Sequence, residues 1–133
     1  MAINFQRLEE ITRALKPSQQ TGKSFHTTFV YRGSKLLCIA NNNYNKNHLH
    51  YRFGAYQPTK SGSKKYIACL HSECAALIKL GLEDCSHLTF VNCRVDNNGN
   101  PAISKPCANC QRVLNQVGYK KIWYYNGEKY THQ

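Results

Sequence analysis

Apolar positions along this chain change spacing several times, and each change marks an element. Leu8, Ile11 and Leu15 recur three and four apart within residues 3–16, with Phe5 nearby and Pro17 as a stop, which predicts an amphipathic helix. Residues 24–31 are rich in Thr, Phe and Val and predict a strand. Arg32-Gly33-Ser34 turns it back into a second strand over 35–41. Residues 66–80 begin apolar and become helical around Cys74, Ala75, Ala76, Leu77 and Ile78, with Gly81 placed as a C-terminal stop. Residues 88–95 predict a strand, followed by the turn-rich stretch 96–101. Residues 107–117 are apolar at Cys110, Val113, Leu114 and Val117 and predict another buried helix, ended by Gly118. Residues 121–125 predict a strand, and Asn126-Gly127 a short hairpin into 128–131.

The order is therefore helix, hairpin, helix, strand, helix, strand, short returning strand. A strand–helix–strand run implies a parallel pair joined by a crossover. The expected fold class is α/β, a three-layer mixed β-sheet flanked by helices. No repeat or linker interrupts the chain, so residues 1–133 are read as one domain, a length at which a core can form. A hydrophobic fraction of 41%, with nine Tyr, five Phe and one Trp, argues against disorder. No apolar run approaches the roughly 20 residues that cross a bilayer, so no membrane partner is expected. Arg7, Glu9 and Glu10 stand where a secretory leader would be apolar. Seven cysteines, an odd number without such a leader, read as reduced thiols or metal ligands, and the cytoplasm is the expected location.

Charge adds a second theme. Eighteen Lys and Arg against seven Asp and Glu give a formal net charge of +11. Between Glu10 and Glu73 there is no acidic residue, while Arg13, Lys16, Lys23, Arg32, Lys35, Lys46, Arg52, Lys60, Lys64 and Lys65 all fall there. A one-sided basic field attracts phosphate on a nucleotide or along a strand; a solvated basic surface is the plainer reading. Residues 42–65 form a long polar loop with Tyr44, Tyr51, Phe53 and Tyr56 interleaved, a length that is usually functional or disordered.

Two fragments carry chemistry: His71-Ser72-Glu73 at the start of the second helix and Pro106-Cys107-Ala108-Asn109-Cys110 at the start of the third. Two Cys three apart in a first helical turn can face one ion, and the helix dipole favours their thiolates. His71 supplies a third donor if the two helix starts abut, leaving the fourth corner of a tetrahedral zinc open.

The pairing H-x-E with P-C-x-x-C is the signature of zinc-dependent nucleobase deaminases. On it, the sequence resembles the cytidine/deoxycytidylate deaminase superfamily, in particular its small single-domain members. The strict match covers His71, Glu73, Pro106, Cys107 and Cys110; the element order matches from about residue 24 to 125. The resemblance implies a cytidine deaminase-like fold and a Zn2+ held by His71, Cys107 and Cys110. It implies Glu73 as general acid and base, and Asn43 as the substrate contact, with Asn45 second and Asn41 and Asn42 in competition. The implied reaction is hydrolytic deamination of a cytosine-type base in a nucleoside, a nucleotide or a single-stranded nucleic acid. Two departures stand out. Ser72 replaces the Ala common at that position, and 32 residues separate Glu73 from Pro106, a length attributed to a hairpin insertion at 96–101.

Two alternatives keep the metal. Adenine deamination of the tRNA-modifying type shares both fragments, but in that branch the last strands run parallel through a helix, against the hairpin predicted here. A non-catalytic, zinc-stabilised nucleic-acid-binding module would also suit the charge. Cys69 or Cys74 as a fourth ligand would close the site into a structural one. More plainly, Cys38, Cys69, Cys74, Cys85 and Cys93 all read as small buried residues, and His48 and His50 as loop surface rather than a second metal pair. Self-association stays open.

Overall fold

The structure, a computed structural model, describes residues 2–16, 25–42, 71–81 and 84–133. Helix α1 (Phe5–Leu15) is capped by Asn4, whose side chain accepts from the Arg7 N–H. Strands β1 (Phe25–Arg32) and β2 (Lys35–Asn41) form a hairpin turned at Gly33, with a bulge between Val30 and Tyr31. Helix α2 (Ser72–Leu80) ends at Gly81, which takes a left-handed conformation. Strand β3 (Thr89–Val95), helix α3 (Ala108–Val117), strand β4 (Lys121–Tyr125) and strand β5 (Tyr130–His132) complete the chain.

The five strands lie in the order β2-β1-β3-β4-β5, with β3 and β4 parallel and every other pair antiparallel. The parallel pair and the mixed α/β architecture are those expected. Period-two alternation sorts the central strands between two faces. Phe29, Val91 and Cys93 meet Leu8 of α1, where Phe5 also stacks on Tyr130 with ring centroids 4.3 Å apart. Val30, Phe90 and Ile122 meet Leu77 of α2 and Leu114 of α3 on the opposite face. Each fully buried Phe or Leu contributes about 1.5–3 kcal/mol, so both layers are needed to hold the sheet.

Polar residues interrupt this second face in one place. Thr28 and Asn92 are direct cross-strand partners on β1 and β3, both buried, one pleat beyond Val30 and Phe90.

Strands β3 and β4 pair only over Thr89–Val91 and Lys121–Trp123. Beyond that they part, and residues 101–104 fill the gap. The Ala102 N–H donates to the Arg94 carbonyl (2.9 Å) and the Ser104 N–H to the Tyr125 carbonyl (3.0 Å). The preceding turn is the hairpin expected at 96–101. It is bridged at Val95 and Pro101 and closed by the Asp96 side chain accepting from the N–H groups of Asn98 and Asn100.

One boundary differs in an informative way. The return strand begins at Tyr130, not at 128, because Asn126 accepts the N–H groups of both Glu128 and Lys129 through its side chain. The loop spans residues 126–129, so Asn126-Gly127 marks a hairpin wider than a two-residue turn. Asn43, Asn45, His48, His50 and Cys69 lie outside the described residues. Among the described residues no helix is long and apolar enough to cross a membrane.

Candidate active site

The start of β1, the residue after β2, the start of α2 and the segment leading into α3 converge on one cavity of about 110 Å³. Its lining is His26, Asn42, His71, Ser72, Glu73, Lys105 and Cys107. The two sequence fragments therefore meet, because the parallel β3–α3–β4 unit sets the start of α3 beside that of α2.

His71 is the N-cap of α2 through extended backbone and makes no capping hydrogen bond with its side chain, so the imidazole is directed to other partners. Cys107 is the N-cap of α3, and its sulfur accepts from the Cys110 N–H at 3.5 Å. The His71 Nδ1 lies 3.4 Å from Cys107 Sγ and 3.3 Å from Cys110 Sγ, and all three atoms fall within 4.8 Å of one another. Zinc bonded tetrahedrally to one imidazole and one thiolate holds their donor atoms roughly 3.6 Å apart. The donor set and spacing fit that ion.

Among the described residues no fourth donor joins the cluster. Cys74 comes within 3.9 Å of Cys110 through sulfur, yet it is fully buried in the α2–α3 core and outside the group. Cys74 is thus the small buried residue expected, and it stands apart from the His71, Cys107 and Cys110 donors. Cys38, Cys85 and Cys93 are free thiols, the last two buried, as expected of small core residues.

The electrostatics suit a metal-binding pair. A hydrogen bond from the Cys110 side chain pulls the Cys107 thiol down to about 3, with His71 and the Cys110 N–H adding to it against the cost of burial. Cys110 is shifted upward by sharing its proton with Cys107, then by Cys74 and by burial. One thiolate is thus favoured over two until a cation compensates the second charge. His26 is held down to about 4, first by burial and then by Arg94 and His71, so its imidazole is neutral near pH 7.

Glu73 lies in the first turn of α2 and is only 6% exposed. Burial pushes its carboxyl up from the ordinary range, partly opposed by its own backbone N–H, by His71 and by Ser72. Its Oε1 is 3.2 Å from Ser72 Oγ, and its Oε2 accepts from Asn92 Nδ2 at 3.2 Å. Thr28 Oγ1 lies 2.7 Å from Ser72 Oγ and 2.8 Å from Asn92 Oδ1. When Glu73 is ionised, two hydroxyl protons serve three oxygen–oxygen contacts; a protonated Glu73 supplies the third. The ring of contacts accommodates a carboxyl that carries a proton.

Of the four Asn candidates on the substrate side, only Asn41 and Asn42 lie among the described residues. Asn43 lies outside the described residues, whereas Asn42 lines the cavity, its Oδ1 accepting from the His26 N–H at 3.0 Å. Sequence reasoning passed over His26, Lys105 and Asn92. His26 shares the β1 face of Thr28 and Val30 by period two, a signal that was present. Lys105 and Asn92 have no such signal, since one sits in an irregular segment and the other in a strand buried on both faces.

No family model and no curated protein matches the chain. Solved structures that share its fold include two cytidine deaminases. A cytidine deaminase from Mycobacterium leprae is 18% identical with a TM-score of 0.51, covering 98% of this chain and 94% of that one. A cytidine deaminase from Burkholderia pseudomallei is 12% identical with a TM-score of 0.55, covering 98% and 92%. The chain has the cytidine deaminase fold over nearly its whole length, with a His/Cys/Cys cluster placed to hold a metal.

Proposed function

We propose that this protein is a zinc-dependent hydrolytic deaminase that converts a cytosine-type base to uracil in a nucleoside, a nucleotide or a single-stranded nucleic acid. The observation that carries the reading is a three-donor cluster of His71, Cys107 and Cys110, of which His71 and Cys107 share the cavity wall with a buried Glu73. His71, Cys107 and Cys110 would hold a zinc ion, which would supply Lewis-acid activation of water.

The chain's own residues do the rest. Water adds to the ring carbon that bears the amino group, and Glu73 takes the proton it loses. Glu73 returns that proton to the adjacent ring nitrogen. It then transfers the second water proton to the amino nitrogen, so that the C–N bond breaks, ammonia leaves and the carbonyl forms. A carboxylate that is desolvated and hydrogen-bonded in a fixed position suits this double role. Asn42 takes the place of a substrate contact beside Asn43, and the neutral His26 adds a hydrogen-bonding group to the wall.

Lys105 favours a phosphate-bearing substrate over a bare nucleoside. It lines the cavity, has no acidic partner among the described residues, and its Nζ lies 6.0 Å from the Tyr124 ring centroid. The antiparallel return of β5 supports cytosine over the adenine alternative.

The test is product analysis by mass shift on zinc-loaded protein over cytidine, deoxycytidine, their 5′-monophosphates, adenine-containing tRNA and cytosine-containing single strands. Conversion to uracil products, lost in Glu73→Ala with zinc retained, is expected. Salt-steep binding of single strands without turnover, unchanged by Glu73→Ala, would point to a binding module instead.

A further inference from the structure

The cavity wall holds more polar chemistry than a metal cluster and one acid require. We infer that Asn92, braced by Thr28 and Ser104, is a positioning residue that holds the Glu73 carboxylate in one orientation and ties it to the segment bearing Cys107. The inference rests on the reading of Glu73 as acid and base.

Asn92 is 2% exposed and lies on β3, in the middle of the sheet. Its Oδ1 accepts from Thr28 at 2.8 Å, while its Nδ2 donates to Glu73 Oε2 at 3.2 Å and to the Ser104 carbonyl at 3.3 Å. The amide can stand only one way round. Reversed, its oxygen would face the Glu73 carboxylate and the Ser104 carbonyl, two acceptors with no proton to share. Its orientation is thus set by three partners on three segments, and an over-determined donor fixes what it binds.

Glu73 is then held at both oxygens, Oε1 by Ser72 and Oε2 by Asn92, which sets the plane of the carboxylate rather than only its distance. The brace continues outward. Ser104 Oγ donates to the Asn92 carbonyl at 2.8 Å and accepts from the Tyr125 N–H at 2.9 Å. Three residues further on, the same segment delivers Cys107 to the cluster. Proton carrier and metal-ligating loop are therefore referenced to one buried amide. A side chain that only filled the core at this position would be apolar, as Phe90 and Val30 are on the same face.

A reacting group misplaced by about 1 Å loses on the order of a hundredfold in rate, so a positioning role appears in turnover rather than in substrate binding. The variants are Asn92→Leu, of similar volume, and Thr28→Val, which removes only the hydroxyl, with Thr28→Ser as the conservative rescue. Each is loaded with zinc and assayed beside wild type and Glu73→Ala. Asn92→Leu is expected to bind zinc at the wild-type ratio, lower kcat by roughly 10–100-fold and leave KM within about twofold. Combined with Glu73→Ala it should cost nothing further, since it acts through that residue. Thr28→Val should show a smaller loss of the same kind, restored by Thr28→Ser. A crystal structure of Asn92→Leu should show the Glu73 carboxylate spread over more than one rotamer. If Asn92→Leu does not fold, the Thr28 pair carries the same comparison. A carboxylate unmoved in a variant structure, or an equal loss in the Glu73→Ala background, overturns the inference. If wild type turns over none of the bases, the deaminase reading fails, and the crystallographic comparison alone decides whether Asn92 positions Glu73.

Discussion

Replacing Glu73 with Gln should make the protein inactive and more stable at once. With Glu73 ionised, Ser72 Oγ and Thr28 Oγ1 bring two protons to three contacts, at 2.7, 2.8 and 3.2 Å. Gln places an N–H at the Ser72 end and keeps an oxygen for Asn92 Nδ2. Ser72 can then donate to Thr28, and Thr28 to Asn92, so every contact has its proton. One completed hydrogen bond is worth a net of about 1 kcal/mol, and the substitution also removes a carboxylate from a site with almost no solvent. For a domain of this length that corresponds to a Tm higher by roughly 3–5 °C. Turnover should fall by about 10²–10⁴-fold, the usual contribution of a positioned acid and base. The assay is calorimetry on zinc-loaded wild type and Glu73→Gln with metal content matched, run beside a mass-shift assay on the same samples. A Glu73→Gln protein that melts at or below the wild-type temperature with its zinc in place would refute the proton count.

Further outcomes are open to direct measurement. In metal-free protein at mildly acidic pH, iodoacetamide should modify Cys107 before the other described cysteines, because its thiolate is stabilised and exposed, and zinc should protect it; labelling that ignores zinc would count against the cluster. Lys105→Met should raise KM for a cytidine monophosphate about three- to fivefold, the scale of one exposed ion pair, and leave cytidine unchanged; equal effects on both substrates would remove Lys105 from phosphate binding. Cys93 is pushed up from 9.0 to about 12 by burial, so the unfolded chain ionises there before the folded one does. Stability contributed by this group is present below pH 9 and declines as pH rises towards 12, by at most about 1.4 kcal/mol per pH unit. Urea unfolding of Cys93→Ala across pH 8–11 should show a shallower alkaline decline than wild type, and an identical slope would exclude Cys93 as its source.

The sequence carried the architecture well where burial is one-sided. Leu8, Ile11 and Leu15 marked α1 because only one side of that helix meets the sheet, and the β1–β2 hairpin was readable from its turn at Gly33. The convergence of His71, Cys107 and Cys110 was readable because metal chemistry constrains residue type and spacing together. The supporting network was not. Asn92 sits in a strand covered on both faces, where polar and apolar residues no longer alternate in a legible way, and its role depends on Thr28, 64 positions earlier. Lys105 reaches the cavity through an irregular segment that follows no period. The wider β4–β5 loop escaped notice because Asn-Gly pairs favour two-residue turns, while here the Asn126 side chain captures two backbone N–H groups and extends the loop.

The divergence of β3 and β4 after three paired residues has a consequence for how such a protein can change. In open α/β sheets a crevice forms where neighbouring strands send their connections apart, at their carboxyl ends. Here residues 101–104 fill the space between the parted strands, and the segment that continues from them brings Lys105 and Cys107 to the cavity wall. The cavity's depth is fixed by sheet geometry, whereas its rim is built from connecting segments. Exchanges along that rim can alter which molecules enter without disturbing the scaffold beneath, so selectivity and folding are free to evolve at different rates.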